Sequence, residues 1–518
     1  MEKSLPMQTV RKVVAYRDSN LVYPRSSPFD PSCAYPEYPF GAAEVSAENR
    51  VYEAVRTVLR TAGLDPQRFG HPDWNPLGDL VQPGGTVLIK PNWVRHYHLR
   101  GLDLFSIITH PAVLRPLIDY AFKAVGSSGR IWVMDAPQFD TDFEALRSAC
   151  QLDELQRTLT ARGVPLTIAD LRSLVVHVDH GVVVKRVRRN TWASEGVEFD
   201  LGNDSELAAL GPSLRNVFGS DYDRRATRAF HGPARDARQR HCYRISQRVL
   251  EADLVISVPK LKTHKKTGVT LNIKNMIGIN TDKNYIPHYR VGSTSQGGDE
   301  FPDAQNWSQY LRRTVVRRAV DLCLGRLGVV GERMAHAFMS TWLALHRRRL
   351  ENRAGHRLEP VDVFYRTIQG DRYRTGNWWG NDTCWRCALD INKLLFYGTV
   401  EGRLADLPAR RYLSVIDGIV GGDEDGPMAP TPRPEGVLLA GFDPVSVDTV
   451  ATHLMGFDPD LIRDQVRGGQ LPRYPLTDSR LPTVVESNCP EWQRCIRPGS
   501  DLHFRPHFAW AEYMRRAG

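Results

Sequence analysis

ADLVISVPKLKTHKKTGVTLNIKNMIGIN, which spans residues 252–280, places a dense set of hydrogen-bond donors directly after a buried strand. The apolar, β-branched run from Leu254 to Val258 predicts that strand, and Pro259 ends it. In an open α/β sheet, ligands bind at the carboxyl ends of the strands. Lysine ammonium groups suit phosphate and carboxylate because each is a mobile point charge with several donors. The stretch therefore predicts an anion site at the edge of such a sheet.

The candidate site residues come from this stretch and from an earlier strand and helix. We expect catalytic roles for Lys260, Lys262 and His264, and substrate-binding roles for Lys90, Asn92, His110, Lys265, Thr267, Asn272, Lys274 and Asn275. Neighbouring lysines disfavour a protonated histidine, so His264 is expected to be neutral and available as a base or ligand. Two alternatives stay open: the lysines form a solvated basic loop, and His110 caps a helix.

The order of predicted elements indicates an α/β protein. The segments GTVLIKPNWV (85–94) and GRIWVMDAPQFD (129–140) predict strands, and THPAVLRPLIDYAFKAVG (109–126) predicts the helix between them. We expect an open, mostly parallel sheet with helices on both faces, an inserted β-rich or irregular region and a basic helical insertion. The predicted parts are an entry segment (1–75), a first α/β half (76–150), an inserted cap (151–240), an α/β core (241–300), a basic helical insertion (301–380), a last α/β unit (381–460) and an irregular tail (461–518).

Five segments resemble one known family. PKLKTHKKTGVTLNIKNMIG (259–278) is similar to the signature of the Domain of Unknown Function 362 family, and VLIKPNWV (87–94), IWVMDAP (131–137), SVIDGIVGGDEDGP (414–427) and GFDPVSVDTVATHLMG (441–456) agree in order. The resemblance covers most of residues 80–459 and implies no particular activity. Some relatives carry ferredoxin-like segments, but this chain lacks the C-x-x-C-x-x-C-x-x-x-C-P run that such a segment needs, so no iron–sulfur cluster is expected.

Carboxylates form a second, acidic group of candidates. Asp135, Asp417, Asp425 and Asp443 lie at the ends of predicted strands or in the glycine-rich loop between them. Converging carboxylates favour Mg²⁺ or Mn²⁺, since both prefer oxygen ligands. These four residues are therefore the predicted metal ligands. For Asp443, which precedes a helix, the alternative is an N-cap.

The net charge and the composition limit the classes of partner that the protein is expected to bind. The net charge is +9 and the pI is about 9.1, yet no basic-aromatic nucleic-acid motif appears, so nucleic acid is not expected. No secretory signal or spanning segment is evident, and a cytoplasmic location is expected. The basic helices within 307–357 are expected to pack on the body or in a homo-oligomer, with anionic membrane as the less favoured alternative.

The functional hypothesis is an enzyme that acts on a phosphorylated or carboxylated small molecule, with divalent-metal assistance to phosphoryl or acyl chemistry. One alternative is a cofactor-dependent redox or racemase-type enzyme at the same lysine–histidine loop. The other is a non-catalytic protein that binds an anionic membrane or partner.

Overall fold

The computed structural model describes residues 10–41, 44–46, 48–219, 224–233, 239–320, 322–323, 327–355, 357–368, 372–497 and 499–515. The strands are β1 (Arg11–Arg17), β2 (Thr86–Pro91), β3 (Arg130–Asp135), β4 (Leu166–Asp170), β5 (Leu174–Asp179), β6 (Val182–Arg188), β7 (Gly196–Asp200), β8 (Val217–Phe218), β9 (His231–Pro233), β10 (Gln239–Ser246), β11 (Leu254–Val258), β12 (Lys260–His264), β13 (Gly268–Val269), β14 (Tyr289–Arg290), β15 (Arg411–Asp423), β16 (Thr431–Gly441) and β17 (Thr483–Ser487).

The α-helices are α1 (Arg50–Thr61), α2 (Pro111–Val125), α3 (Phe143–Ala149), α4 (Leu152–Ala161), α5 (Arg224–Phe230), α6 (Gln247–Leu250), α7 (Leu271–Asn275), α8 (Trp307–Val320), α9 (Gly328–Ala354), α10 (Pro360–Ile368), α11 (Cys384–Tyr397), α12 (Pro444–Leu454), α13 (Arg463–Gly468) and α14 (Phe508–Arg515). In the described part of the chain, no helix has both the length and the apolar character needed to cross a membrane.

A single large sheet organises the molecule. Its strand order is β17-β1-β16-β15-β11-β2-β3-β4. Strand β12, which follows β11 directly in the chain, pairs with the next part of β15 beyond the part that pairs with β11. The pairs from β15 through β11, β2 and β3 to β4 are all parallel, whereas β16 is antiparallel to both of its neighbours. The prediction of an open, mostly parallel α/β sheet is therefore confirmed.

Helices cover both faces of this sheet because side chains alternate along its buried strands. In β2, Val87 and Ile89 join the apolar cluster that contains residues of α1 to α4, whereas Leu88 joins the cluster formed with α11. Strand β11 repeats the pattern, with Leu254 and Ile256 on the first face and Val255 on the second. A strand buried on both faces has no polar side, which explains the continuous apolar run in its sequence.

The chain reverses direction across the sheet between β2 and β11. From β2 it proceeds outward through β3 and β4, and then returns to β11 on the other side of β2. This arrangement is a topological switch point, where the loops that leave adjacent strands diverge and create a crevice at the carboxyl edge. The strand ends at Pro91 and Val258 flank that crevice, as their direct pairing shows.

The predicted boundaries of the inserted parts differ from the structure in two places. Helix α4 and strand β4 lie within the predicted cap but complete the core sheet, and β17 lies within the predicted irregular tail but pairs with β1. The rest of the cap contains a hairpin, with β5 and β6 joined at His180 and Gly181, which both have positive φ as a two-residue hairpin turn requires. Both core strands that the sequence did not reveal are only five residues long, so each carries little periodic signal.

Replacement of Ile256 by Ala should destabilise the protein by about 2–5 kcal/mol, because this side chain is fully buried in a central strand and its loss leaves a cavity. Urea denaturation followed by circular dichroism measures the change. Leu407→Ala is the matched control, since Leu407 is 77% exposed and the expected change is within about 0.5 kcal/mol. Equal denaturation midpoints for the two variants would contradict the burial of β11.

Candidate functional site

A cavity of about 1010 Å³ opens at the switch point. Strand ends, the lysine-rich stretch and parts of the insertions contribute to its wall. Its cationic lining residues are Lys90, Arg95, Arg100, Lys262, Lys265, Lys266, Lys274, Lys283, Arg347, Arg357 and Arg374, and its acidic ones are Asp135, Asp140, Asp179 and Glu359. The wall therefore carries a large excess of positive charge at the place where open α/β sheets bind ligands.

A buried ion pair forms the floor of this cavity. Lys90, at the end of β2, lies 2.8 Å from Asp135, at the end of β3, and both side chains are almost fully buried. Burial lowers the pKa of Lys90, and the Asp135 carboxylate partly offsets this effect. Gly278 packs against the pair so closely that a Cβ atom there would lie 2.1 Å from Asp135 Oδ1. The NMIG turn therefore needs glycine to leave room for these two charges.

Lysines from the basic stretch extend the positive wall. Lys262 donates from Nζ to the carbonyl oxygens of Ile107 at 2.5 Å and Pro427 at 3.2 Å. Burial, with added repulsion from Lys260 and Lys274, holds the pKa of Lys262 well below its ordinary value. Burial also lowers the pKa of Lys283 to about 7. A depressed pKa is a property that these two lysines share with many functional lysines.

Two cavity histidines are neutral but have opposite hydrogen-bonding capacity. Burial and nearby lysines hold the pKa values of His264 and His288 well below the ordinary value. His264 Nδ1 accepts hydrogen bonds from the backbone N–H groups of Lys266 and Thr267, so its proton is on Nε2. His288 Nδ1 lies 3.1 Å from the Ile286 carbonyl, which can only accept, so its Nε2 has the free lone pair. His288, rather than His264, is thus the cavity's candidate general base.

Lys260 lies beneath the cavity in a separate polar cluster and does not line the wall. Its Nζ lies 2.9 Å from Asp417 and donates to Tyr23 Oη at 2.7 Å, and Lys260 and Asp417 are both fully buried. Asp417 also accepts from Tyr23 Oη at 2.5 Å and from the His110 backbone N–H at 3.0 Å. His110 stacks on Tyr23 and caps α2, since its Nδ1 accepts from the Ala112 N–H. This geometry gives Lys260 and His110 structural roles.

The four predicted metal ligands occupy four different environments. Asp135 pairs with Lys90, and Asp417 with Lys260. Asp443 caps α12 by accepting from the Ser446 N–H at 2.7 Å, and Asp425 lies 3.8 Å from His507. Among the described residues, the His, Cys, Asp and Glu side chains close enough to share an ion are Asp179, His180 and His336, none of which was predicted. The shared Mg²⁺ or Mn²⁺ ion stays a prediction without support from this geometry.

About half of the predicted site residues line the cavity. Those that line it are Lys90, Asn92, Asp135, Lys262, His264, Lys265, Lys274 and Asn275, and those that do not are His110, Lys260, Thr267, Asn272, Asp417, Asp425 and Asp443. Asn272 is fully buried and hydrogen-bonds Asp448 of α12 and Tyr412 of β15, which fixes α7. No local pattern in the sequence indicates a role for His288 or Lys283, which lie in the loops that follow α7 and line the cavity.

The fold and the cavity define an open-sheet α/β protein with a cavity rich in cationic side chains at its switch point. The family model described as Domain of unknown function (DUF362) matches residues 229–453. This match confirms the predicted resemblance to that family over the matched residues, which contain both the lysine-rich stretch and the acidic loop. VLIKPNWV and IWVMDAP precede the matched range. No curated protein and no solved structure matches the chain.

The Lys260–Asp417 pair should be a major contributor to stability rather than to ligand binding. Asp417→Asn leaves a buried ammonium without its counter-charge, so we expect a loss of about 3–5 kcal/mol in the free energy of unfolding. Asp478→Asn is the control, because its pair with Arg480 is exposed and solvent screens it, so we expect little change in stability. Urea titration measures both changes. An Asp417→Asn protein as stable as the control variant would exclude a structural role for the pair.

Proposed function

We propose that this protein is an enzyme that binds a phosphorylated or carboxylated small molecule in the switch-point cavity. The observation that carries the proposal is the excess of cationic over acidic side chains on the cavity wall, where Lys262 and Lys283 are among the buried cations. Burying a charge without a counter-charge is unfavourable, so an anionic ligand that supplies the counter-charge is strongly favoured there. Lys274 is central to this field, because its charge lowers the pKa values of Lys90, Lys262 and His264.

Acid–base chemistry fits the groups that face this cavity. His288 offers a lone pair at Nε2 for proton abstraction, and His264 offers an Nε2–H that can donate to a developing negative charge. A bound anion would raise the low pKa of His288, and so strengthen it as a base when substrate is present. Lys262, with its depressed pKa, is the candidate nucleophilic amine.

Divalent-metal assistance remains part of the proposal, with Asp135 as the one predicted metal ligand that lines the cavity. Its pairing with Lys90 at 2.8 Å means that a metal ion would compete with that ammonium group. The redox or racemase-type alternative would use the same lysines and histidines.

Removal of the Lys274 charge should weaken anion binding by at least about tenfold, because one close charge interaction at low effective dielectric exceeds about 1.4 kcal/mol. Isothermal titration of Lys274→Met with inorganic pyrophosphate and citrate measures this effect. Lys123→Met is the control, since Lys123 lies in the last turn of α2, at the opposite edge of the sheet. Wild-type affinity in Lys274→Met, or no saturable binding by the unaltered protein, would contradict the proposal. The ligands that bind are then used as candidate substrates in turnover assays that compare the unaltered protein with His288→Gln.

The helical insertion supports a second candidate function, docking on an anionic membrane. In α8 the buried face carries Arg313 and Arg317, and Arg317 pairs with Glu300 at 2.9 Å. The opposite face exposes Trp307, Leu311 and Val315 at successive i+4 positions. Among the large apolar side chains of these helices, Met339 is buried, whereas Trp307 and Met334 are exposed.

The charge around this exposed stripe favours lipid over a second copy of the chain. Exposed residues beside the apolar positions of α8 and α9 are largely arginine, including Arg312, Arg318, Arg333, Arg348 and Arg349. A symmetric dimer through this face would bring like charges together. Anionic headgroups would instead be attracted by about 1 kcal/mol for each basic residue near the surface.

Full-length protein should therefore co-sediment with vesicles of phosphatidylcholine and phosphatidylserine, and much less with phosphatidylcholine alone. Val315→Glu and Phe338→Glu should each abolish this binding, because they place a carboxylate in the apolar stripe. Leu407→Glu is the matched control at an exposed leucine outside the insertion. Binding should fall at high salt, which screens surface charge. Absence of binding would reject membrane docking, and dimers lost in Val315→Glu would assign the stripe to self-association.

A further inference from the structure

A cluster of two histidines and one aspartate lies at the rim of the cavity. Asp179 ends β5, His180 occupies the hairpin turn, and His336 comes from the middle of α9. His336 Nε2 lies 2.8 Å from Asp179 Oδ2, and His180 Nδ1 lies 3.0 Å from Asp179 Oδ1. The three ligand atoms lie within 4.8 Å of one another. Two separate insertions thus contribute side chains to a single small group of donors.

The arrangement is supported by a neighbouring contact between the same two elements. Glu332, one turn before His336 in α9, pairs with Arg186 of β6 at 2.6 Å. Residues four apart share a helix face, so Glu332 and His336 both face the hairpin. The position of His336 beside the turn is therefore set by more than the cluster's own hydrogen bonds.

One ring nitrogen in the cluster has no hydrogen-bond partner. His180 Nδ1 is buried, and its approach to Asp179 does not have hydrogen-bond geometry. Two imidazoles and a carboxylate are the ligand set of many three-ligand zinc sites, which keep a fourth position open. Tetrahedral zinc with bonds of about 2.1 Å separates its ligands by roughly 3.4 Å, close to the separations observed here. Imidazole donors favour Zn²⁺, Co²⁺ or Ni²⁺ over Mg²⁺.

We propose that Asp179, His180 and His336 form a binding site for a divalent transition-metal ion of the zinc class. The ion would join the β5–β6 hairpin to α9 with three protein ligands. Asp179 and His180 are also part of the cavity wall, so the fourth position lies at the cavity rim, open to water or to an anionic oxygen. This site is separate from the Lys90–Asp135 floor and does not depend on the anion-binding proposal.

Untagged, chelator-treated full-length protein should bind one equivalent of Zn²⁺ in isothermal titration calorimetry. His336→Asn and His180→Asn should each reduce the affinity at least tenfold, and asparagine tolerates the positive φ of residue 180. His71→Asn is the matched control, because His71 lies 3.3 Å from Asp73 in an exposed pair outside the cluster. Protein loaded with Co²⁺ should show the visible absorption bands of a cobalt ion with low coordination number, and His336→Asn should lack these bands.

Each result of these titrations decides for or against the metal site. Zn²⁺ binding that is unchanged in both histidine variants would overturn the assignment, as would the absence of stoichiometric binding. A circular dichroism spectrum and a melting temperature of apo His336→Asn equal to those of the apo protein would show that lost affinity is not lost folding. Lys274→Met should retain Zn²⁺ binding, so failure of the anion site and failure of the metal site are distinguishable.

Discussion

The desolvation of positive charge at the carboxyl edge of the sheet is the constraint on which the rest of this site depends. Lys90, Lys260 and Lys262 are all buried at adjacent strand ends. Removing an ammonium group from water costs several kcal/mol unless counter-charges and hydrogen bonds replace the lost hydration. The structure meets this cost in two ways, by a carboxylate for two of these lysines and by carbonyl oxygens for the third.

Lys90 and Lys260 are each paired with a carboxylate of the neighbouring strand. Asp135 is the last residue of β3 and Asp417 lies in β15, so each pair joins two neighbouring strands of the sheet. Lys262 donates to two main-chain carbonyl oxygens instead, and its pKa is depressed further than that of either paired lysine. A carbonyl dipole neutralises less charge than a carboxylate. The charge that the framework leaves uncompensated is therefore concentrated at the cavity wall.

The sequence predicted the fold well because its signals are local and regular. Apolar runs with strand-ending proline or aspartate located β2, β3, β11 and β15, and the order of elements predicted their parallel pairing. Strands β4 and β17 were missed because each is only five residues long and depends on its neighbours for stability. Within the site, the sequence KLKTH predicted a group of hydrogen-bond donors, but it did not indicate how deeply each side chain is buried. The register shift between Lys260 and Lys262 against β15 decides which lysine pairs with Asp417, and no local pattern encodes that shift.

The two cavity histidines show why residue type and pKa direction together do not define a chemical role. Both rings are neutral for the same reason, since burial and the lysines around them disfavour the charged form. The backbone determines which nitrogen keeps the proton. A turn that presents N–H groups to His264 makes it a donor toward the cavity, whereas a carbonyl beside His288 makes it an acceptor. A donor and a base can therefore serve one anionic ligand only because two loops present opposite ends of the peptide group to the two imidazoles. Such a distinction depends on backbone orientation, which a motif of side-chain letters does not contain.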